Sequence, residues 1–496
     1  MNPDYDSRPP LDKRTQVTYG LGTLAYGVKN QAMGSMLLLY FNQVVGLPAG
    51  WVGAAIAVGL VVDAVLDPFI GYASDNLQSP WGRRHPFMYA SAVPAAIAFY
   101  CLFNPPAGWS DEALFGYMLA AMIFLRVLIS FYEVPSAATG AELSLDYDQR
   151  TSIMSYRFFF GALGSATIGV VTFSVFLKPS AEHAVGQLNP AGYSDFALFG
   201  AVLIAASILV STWGTHHFIP YFHKPEKRPH TALGVLREIV ETLSTRNFGV
   251  LLLWGSLSAV VVGMTSGLGM YFNTYFWELA AGEIGIILAS GFLAPFLAVA
   301  LAPRVGAQLG KKWAVVTLWM IGAVVAILPI SLRLLDLLPP NGSPVLLGVL
   351  TLDALAVGTL TLSGLILGAS MVADLAEETA VKTGRRSEGV LFSADAIIKQ
   401  TIIGFGTFVA GLMLAFVSFP DQAVPGQIDP AIMLKLACLY LPVAATLNFA
   451  SIGVLAFYSN DRLTHEANLA ALRAAAPTPV APAVAAEVTS PDPRRR

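Results

Sequence analysis

Apolar stretches of about 20 residues or more recur from Thr15 to Tyr458, and a ~30 Å hydrocarbon core takes about 20 residues of helix. Lipid offers no water to backbone N–H and C=O groups, so stretches of this kind must cross as helices that satisfy themselves internally. The stretches lie at 17–45, 51–74, 86–104, 113–142, 155–177, 196–218, 247–277, 284–302, 312–332, 345–374, 389–417 and 431–458, which makes twelve spans of an all-α integral membrane protein. Composition agrees with a lipid setting, since 55% of residues are hydrophobic and only 12% charged, where soluble domains carry about 25% charged residues. The net charge of -3 gives no reason to expect a nucleic-acid partner.

Met1–Arg14 holds three Pro and several charges, so no cleaved signal peptide is expected and the first helix directs its own insertion. Basic residues gather in alternate loops, among them Arg83, Arg84, Arg150, Lys224, Arg228, Arg304, Lys311, Lys312 and Lys382, while the opposite loops carry Lys178, Arg333 and Lys435. The positive-inside rule then puts both termini in the cytoplasm. Pro220, Pro225 and Pro229 stand among charged residues in a polar linker, dividing the chain into a cytoplasmic N-terminus (1–16), a six-helix bundle (17–218), the linker (219–246), a second bundle (247–458) and a tail (459–496). The tail is Ala/Pro-rich and too poor in large apolar residues to pack, so disorder is expected there. Two similar halves around a central loop fit the major facilitator fold, in which solute binds near the midplane between rocking bundles. Duplication shows faintly in Trp81-Gly82-Arg83-Arg84 against Leu309-Gly310-Lys311-Lys312-Trp313.

Charged groups inside such spans are candidate functional sites. Asp63 and Asp67, four residues apart, share a helix face and can hold a cation or share a proton. Arg126, Ser130 and Glu133 form a second polar face on helix 4, suited either to a polar solute or to an Arg–Glu structural clamp. Lys399 on helix 11 needs a partner, which is one of the helix 2 acids or Asp395 a turn away. Asp353 lines a cavity or pairs internally. Asp75, Arg83, Arg84, Asp374, Arg385, Arg386 and Glu388 lie near helix ends as a cytoplasmic gate of ion pairs. Tyr26, Tyr40, Tyr271, Tyr275 and Trp277 either stack on a ligand or serve packing and interfacial belts. Cys101, Cys438 and the scattered His residues show no metal-ligand spacing, and no nucleophile motif points to an enzyme.

Tyr19-Gly20-Leu21-Gly22, Asp63-Ala64-Val65-Leu66-Asp67-Pro68, Trp81-Gly82-Arg83-Arg84, Glu133-Val134-Pro135, Tyr156-Arg157-Phe158-Phe159, Ala373-Asp374-Leu375-Ala376-Glu377-Glu378 and Gly384-Arg385-Arg386-Ser387-Glu388-Gly389 follow one another in order. In that order and spacing, over about residues 17–458, the chain resembles the melibiose-permease family of glycoside–pentoside–hexuronide:cation symporters. The resemblance implies a cation site at Asp63, Asp67 and Ser130, with Na⁺ or H⁺ as coupling ion and Lys399 approaching from the other half. It also implies a solute site at Glu133 and Arg157, to which Arg126, Tyr26 and Lys29 are added by position. The family's Asn beside the second acid is Leu66 here, its helix 1 acid is Gly27, and an aromatic after the helix 4 acid is Ala137.

The sequence is therefore read as a monomeric secondary transporter of a bacterial inner membrane. It uses no cofactor and couples H⁺ or Na⁺ to a sugar or glycoside by alternating access. One alternative is a lysolipid-like amphipath, for which Gly161, Ala162, Gly164, Ser165 and Ala166 would leave room for an acyl chain. A non-transporting receptor is the remaining one.

Overall fold

The computed structural model describes residues 11–144, 147–222, 246–383 and 388–459; within them, side chains at 141, 147–148, 150–151, 373, 376–383, 388–397 and 399–400 are not described. No strand occurs among the described residues. Twelve long helical elements follow one another. α1 covers 13–45 and contains the π-helical turns Ala32–Met36 and Tyr40–Val45. α2 is Ala49–Asn76, α3 His85–Leu102, α4 Asp111–Leu143, α5 Tyr147–Val171 with a closing π turn, and α6 Pro190–His216. α7 is Arg246–Tyr271 with a matching π turn, and α8 comprises Ala281–Ser290 and Ala294–Leu309. α9 is Lys311–Leu334, α10 Pro344–Thr383, α11 Glu388–Phe416 and α12 Pro430–Val454.

Ten helices among the described residues are long and apolar enough to span a bilayer. α1 is broken into short segments by its π turns, and α11 shows the shorter apolar stretch Thr401–Phe416. Several elements overrun the expected spans, α10 by nine residues at its C-terminus, because a helix need not stop where the hydrocarbon does. Ser110, Asn189 and Asp429 cap α4, α6 and α12 by accepting backbone N–H bonds from Ala113, Ala191 and Ala431.

The helices pack as two six-helix bundles whose neighbours repeat with a shift of six. α1 packs on α5 and α6, α3 on α4 and α6, and α2 on α4; likewise α7 packs on α11 and α12, α9 on α10 and α12, and α8 on α10. The faint repeat in the loops becomes concrete at Gly82 and Gly310, which both take φ +76, a left-handed region that costs glycine little. After each turn a basic residue pairs with an acid on the next helix: Arg84 Nη1 lies 3.0 Å from Glu142 on α4, and Lys311 Nζ 2.7 Å from Asp374 on α10.

Between bundles the contacts are α2 with α11, α5 with α8 and α1 with α7. One apolar core runs through both bundles at the face away from the chain termini, including Leu38, Tyr40, Tyr271, Tyr275 and Phe419. At the terminal face it gives way to a cluster within the second bundle around Trp254, Trp319 and Leu455, and another within the first around Tyr19, Leu143 and Phe218. Polar groups seal the joined face. Tyr271 donates to Asn42 Oδ1 (2.7 Å), Asn42 donates to Asp421 Oδ1 (2.6 Å), and Gln43 Oε1 accepts from Tyr275 (2.9 Å) and the Ala423 backbone (2.8 Å). Gln187 adds a bond of 2.9 Å to the Leu279 carbonyl. Tyr271 and Tyr275 thus take part in this seal, and Tyr40 is tied to the Phe103 carbonyl at 2.9 Å.

Candidate functional site

α1, α2 and α4 converge on Asp63, whose residue exposure is only 4%. A carboxylate so placed must be matched by donors or charge. Ser130 Oγ donates to Asp63 Oδ1 at 3.0 Å and Arg126 Nη1 to Oδ2 at 3.0 Å. Lys29 Nζ stands 4.0 Å from the same Oδ2, while lying 4.8 Å over the Tyr26 ring. The i, i+4 spacing of Arg126 and Ser130 sets one donor on each carboxylate oxygen. Sequence reasoning placed Arg126, Lys29 and Tyr26 with the solute; the geometry places both cations on the helix 2 acid, with Tyr26 beside them.

Asp67 lies one turn further along α2, half-buried, and its Oδ1 is buried with no hydrogen-bond partner among the described residues. Lys399, the partner implied by the family resemblance, is on α11, but its side chain is outside the described residues.

Glu133 projects toward α5. Its Oε1 accepts from Arg157 Nη2, while Arg157 Nη1 donates to Tyr19 OH (2.8 Å) and Ser136 Oγ (3.0 Å). Tyr19 in turn donates to the Ser136 carbonyl at 2.8 Å. The guanidinium is held on both terminal nitrogens by three groups and has little freedom left to follow a solute. Glu133 keeps Oε2 buried and, among the described residues, without a partner, so the carboxylate is the element of this pair that retains bonding capacity. Tyr19 and Ser136 were not singled out from sequence as site residues. Tyr19 stood within a quoted family segment, whereas nothing in the local pattern marked Ser136.

Gly27, where the resemblance expects an acid, is closed to any side chain: a Cβ there would lie 2.0 Å from the Gly161 carbonyl oxygen on α5. Ser165 Oγ donates to the Gly27 carbonyl at 2.9 Å, and a Cβ on Gly164 would meet the Leu24 carbonyl at 2.5 Å. The small residues of α5 therefore let α1 and α5 touch.

Among the described side chains, three bases (Lys29, Arg126, Arg157) and three acids (Asp63, Asp67, Glu133) form this region. As an Na⁺ site, the expected pair of Asp63 and Asp67 fits poorly. Asp63 already has a donor on each oxygen and two cationic neighbours, and Asp67 offers at most its two carboxylate oxygens, Oδ1 of them unpartnered among the described residues. No cluster of three or more His, Cys, Asp or Glu suited to a metal occurs among the described residues.

At the terminal face, Asp75 Oδ1 meets Arg84 Nε at 2.8 Å and Arg83 Nε at 3.9 Å, and Glu142, not foreseen, joins both arginines. Among the described residues the ion pairs of this face stay within one bundle. Asp374 is paired with Lys311; Arg385, Arg386 and the Glu388 side chain fall outside the described residues. Asp353 is half-buried on α10.

A pair of repeated six-helix bundles with a charged polar centre between helices defines a multi-pass membrane transporter of the major facilitator type. The family model described as MFS/sugar transport protein matches residues 18–462, and the chain belongs to that family. It is 24% identical to an inner membrane symporter, YicJ, of Escherichia coli, over 90% of this chain and 92% of that protein. It is also 24% identical to the isoprimeverose transporter of Lactiplantibacillus pentosus, over 90% and 88% of the two chains. The crystal structure of a D-xylose-proton symporter shares the fold, with a TM-score of 0.59 at 14% identity over 88% of this chain and 96% of that one. These relatives are transporters, and the protein is a transporter and not an enzyme.

Proposed function

We propose that the protein is a secondary transporter of a bacterial inner membrane that couples a cation, H⁺ or Na⁺, to inward movement of a sugar or glycoside. The terminal face, with its Arg83, Arg84, Lys311 and Lys312, is the cytoplasmic one by the positive-inside rule. The sealed opposite face then closes the outside, and the geometry is that of the inward-opening half of an alternating-access cycle. The observation that carries the reading is that Asp67 Oδ1 and Glu133 Oε2 are both buried and, among the described residues, unpartnered within one charged centre. Asp67 on α2 meets the coupling cation; Glu133, held in place by Arg157, accepts hydrogen bonds from solute hydroxyls. The names of the sugar-transporting relatives support the solute class, and no feature of the site favours the lysolipid alternative or a receptor.

Uptake of radiolabelled glycosides and lysolipids into right-side-out vesicles, under imposed pH or Na⁺ gradients, tests this. Accumulation of one glycoside above its equilibrium level under a gradient is the expected result. Accumulation of lysolipid alone, or of no compound, would contradict it.

A further inference from the structure

We infer that Arg126 is a tethered cation occupying the coupling-metal position at Asp63, so that transport by this protein is indifferent to Na⁺. The inference rests on the symport reading above and narrows its coupling ion.

An Na⁺ ion must exchange its water for several hard oxygens carrying net negative charge. Asp63 supplies neither condition. Its Oδ2 accepts from Arg126 Nη1 at 3.0 Å and has Lys29 Nζ at 4.0 Å, and its Oδ1 accepts from Ser130 at 3.0 Å. A guanidinium stays protonated at any physiological pH, so this counter-ion never leaves as a neutral group. It is also covalently attached to α4, and a tethered cation competes with a free one at a high effective concentration. Both side chains are almost fully buried, at 6% and 5% exposure, where salt in solution screens their pairing least. Leu66, between the two acids, adds no oxygen. Asp67 contributes at most its two carboxylate oxygens, of which Oδ1 is buried and unpartnered among the described residues, too few on their own to replace a hydration shell. Lys29 gives a second positive charge beside the same carboxylate, which further disfavours a metal ion there.

The test uses the full-length protein and two readouts. Retention of ²²Na⁺ by purified wild type, Arg126→Ser and Arg126→Lys is measured by equilibrium dialysis, and uptake of the transported glycoside is measured in vesicles with and without an Na⁺ gradient. Wild type and Arg126→Lys are expected to retain no ²²Na⁺ and to show no Na⁺ response. Arg126→Ser, which exchanges the guanidinium for a hydroxyl oxygen, is expected to bind ²²Na⁺ and to gain an Na⁺-dependent increase of about tenfold in apparent solute affinity, within the usual range of coupling between sites. Should Arg126→Ser fail to fold, Arg126→Gln takes its place, keeping a neutral oxygen and most of the length. Retention of ²²Na⁺ by wild type that Asp63→Asn abolishes would overturn the inference, as would neutral variants that fold and still bind none. If no solute is transported at all, the symport reading fails, and the dialysis result alone decides the role of Arg126.

Discussion

At the scale of residues, the site divides into groups that are held and groups that are left free. Arg157 is fixed by Glu133, Tyr19 and Ser136, so its removal exposes a buried acid. Arg157→Ala is therefore expected to lower stability by about 3 kcal/mol or more, the usual cost of orphaning a buried charge, measured as a drop in the thermal unfolding midpoint in detergent. Glu133→Gln keeps a group that Arg157 can bond through its carbonyl oxygen, but removes the charge. It is expected to fold and to weaken solute binding about tenfold, the scale of a charge-assisted hydrogen bond, as read by the KM of uptake. Much of this division was legible in the sequence, because an Asp or Arg inside an apolar run announces itself and helical spacing says which charges share a face. The pairing was less so. Arg126 and Lys29 fall on Asp63 because three helices cross there, and crossing points are set by packing between distant segments that no local pattern records.

At the scale of elements, glycines decide how close the helices come. Gly27 stands where the family resemblance expects a sugar-binding acid, yet its Cβ position is filled by the Gly161 carbonyl at 2.0 Å. Gly27→Asp is thus expected not to restore a solute contact but to force α1 and α5 apart, lowering the yield of monodisperse protein on size exclusion; a well-folded Gly27→Asp variant with tighter sugar binding would contradict the packing. The span count was readable because bilayer thickness imposes a length on every crossing, whereas the expected linker at 219–246 lies almost wholly outside the described residues. Helix ends were not, since α5, α8 and α10 run on beyond the apolar stretch by which each was recognised. The latches after Gly82 and Gly310 show a middle case. Their basic residues were visible as a weak repeat, whereas Glu142, which completes the first, carries no sequence signal beyond being an acid near a helix end.

At the scale of the whole molecule, the bundles share a core at one face and separate cores at the other, so the barrier to opening at the joined face is the seal of Asn42, Gln43, Tyr271, Tyr275 and the loop at 420–423. Loss of hydration raises the Asp421 carboxyl above the usual aspartate range, against the opposing effect of its bond from Asn42. A raised value means that the sealed form favours the protonated acid. The seal is accordingly strongest at low pH and weakens as pH rises through that range. Spin-label distances between α1 and the α11–α12 loop are expected to lengthen over this interval in wild type, and to lose the dependence in Asp421→Asn. A dependence that survives the substitution would assign it to another group.

The central claim is that Asp67 couples cation entry to solute movement. Its most direct test compares wild type with Asp67→Asn in two assays on the same vesicles: gradient-driven accumulation of the transported glycoside, and exchange of that glycoside at equal concentrations on both sides. Loss of accumulation with exchange retained is the expected result, because the substitution leaves the proposed solute site at Glu133 and the two bundles intact. Unimpaired accumulation in Asp67→Asn would contradict the account.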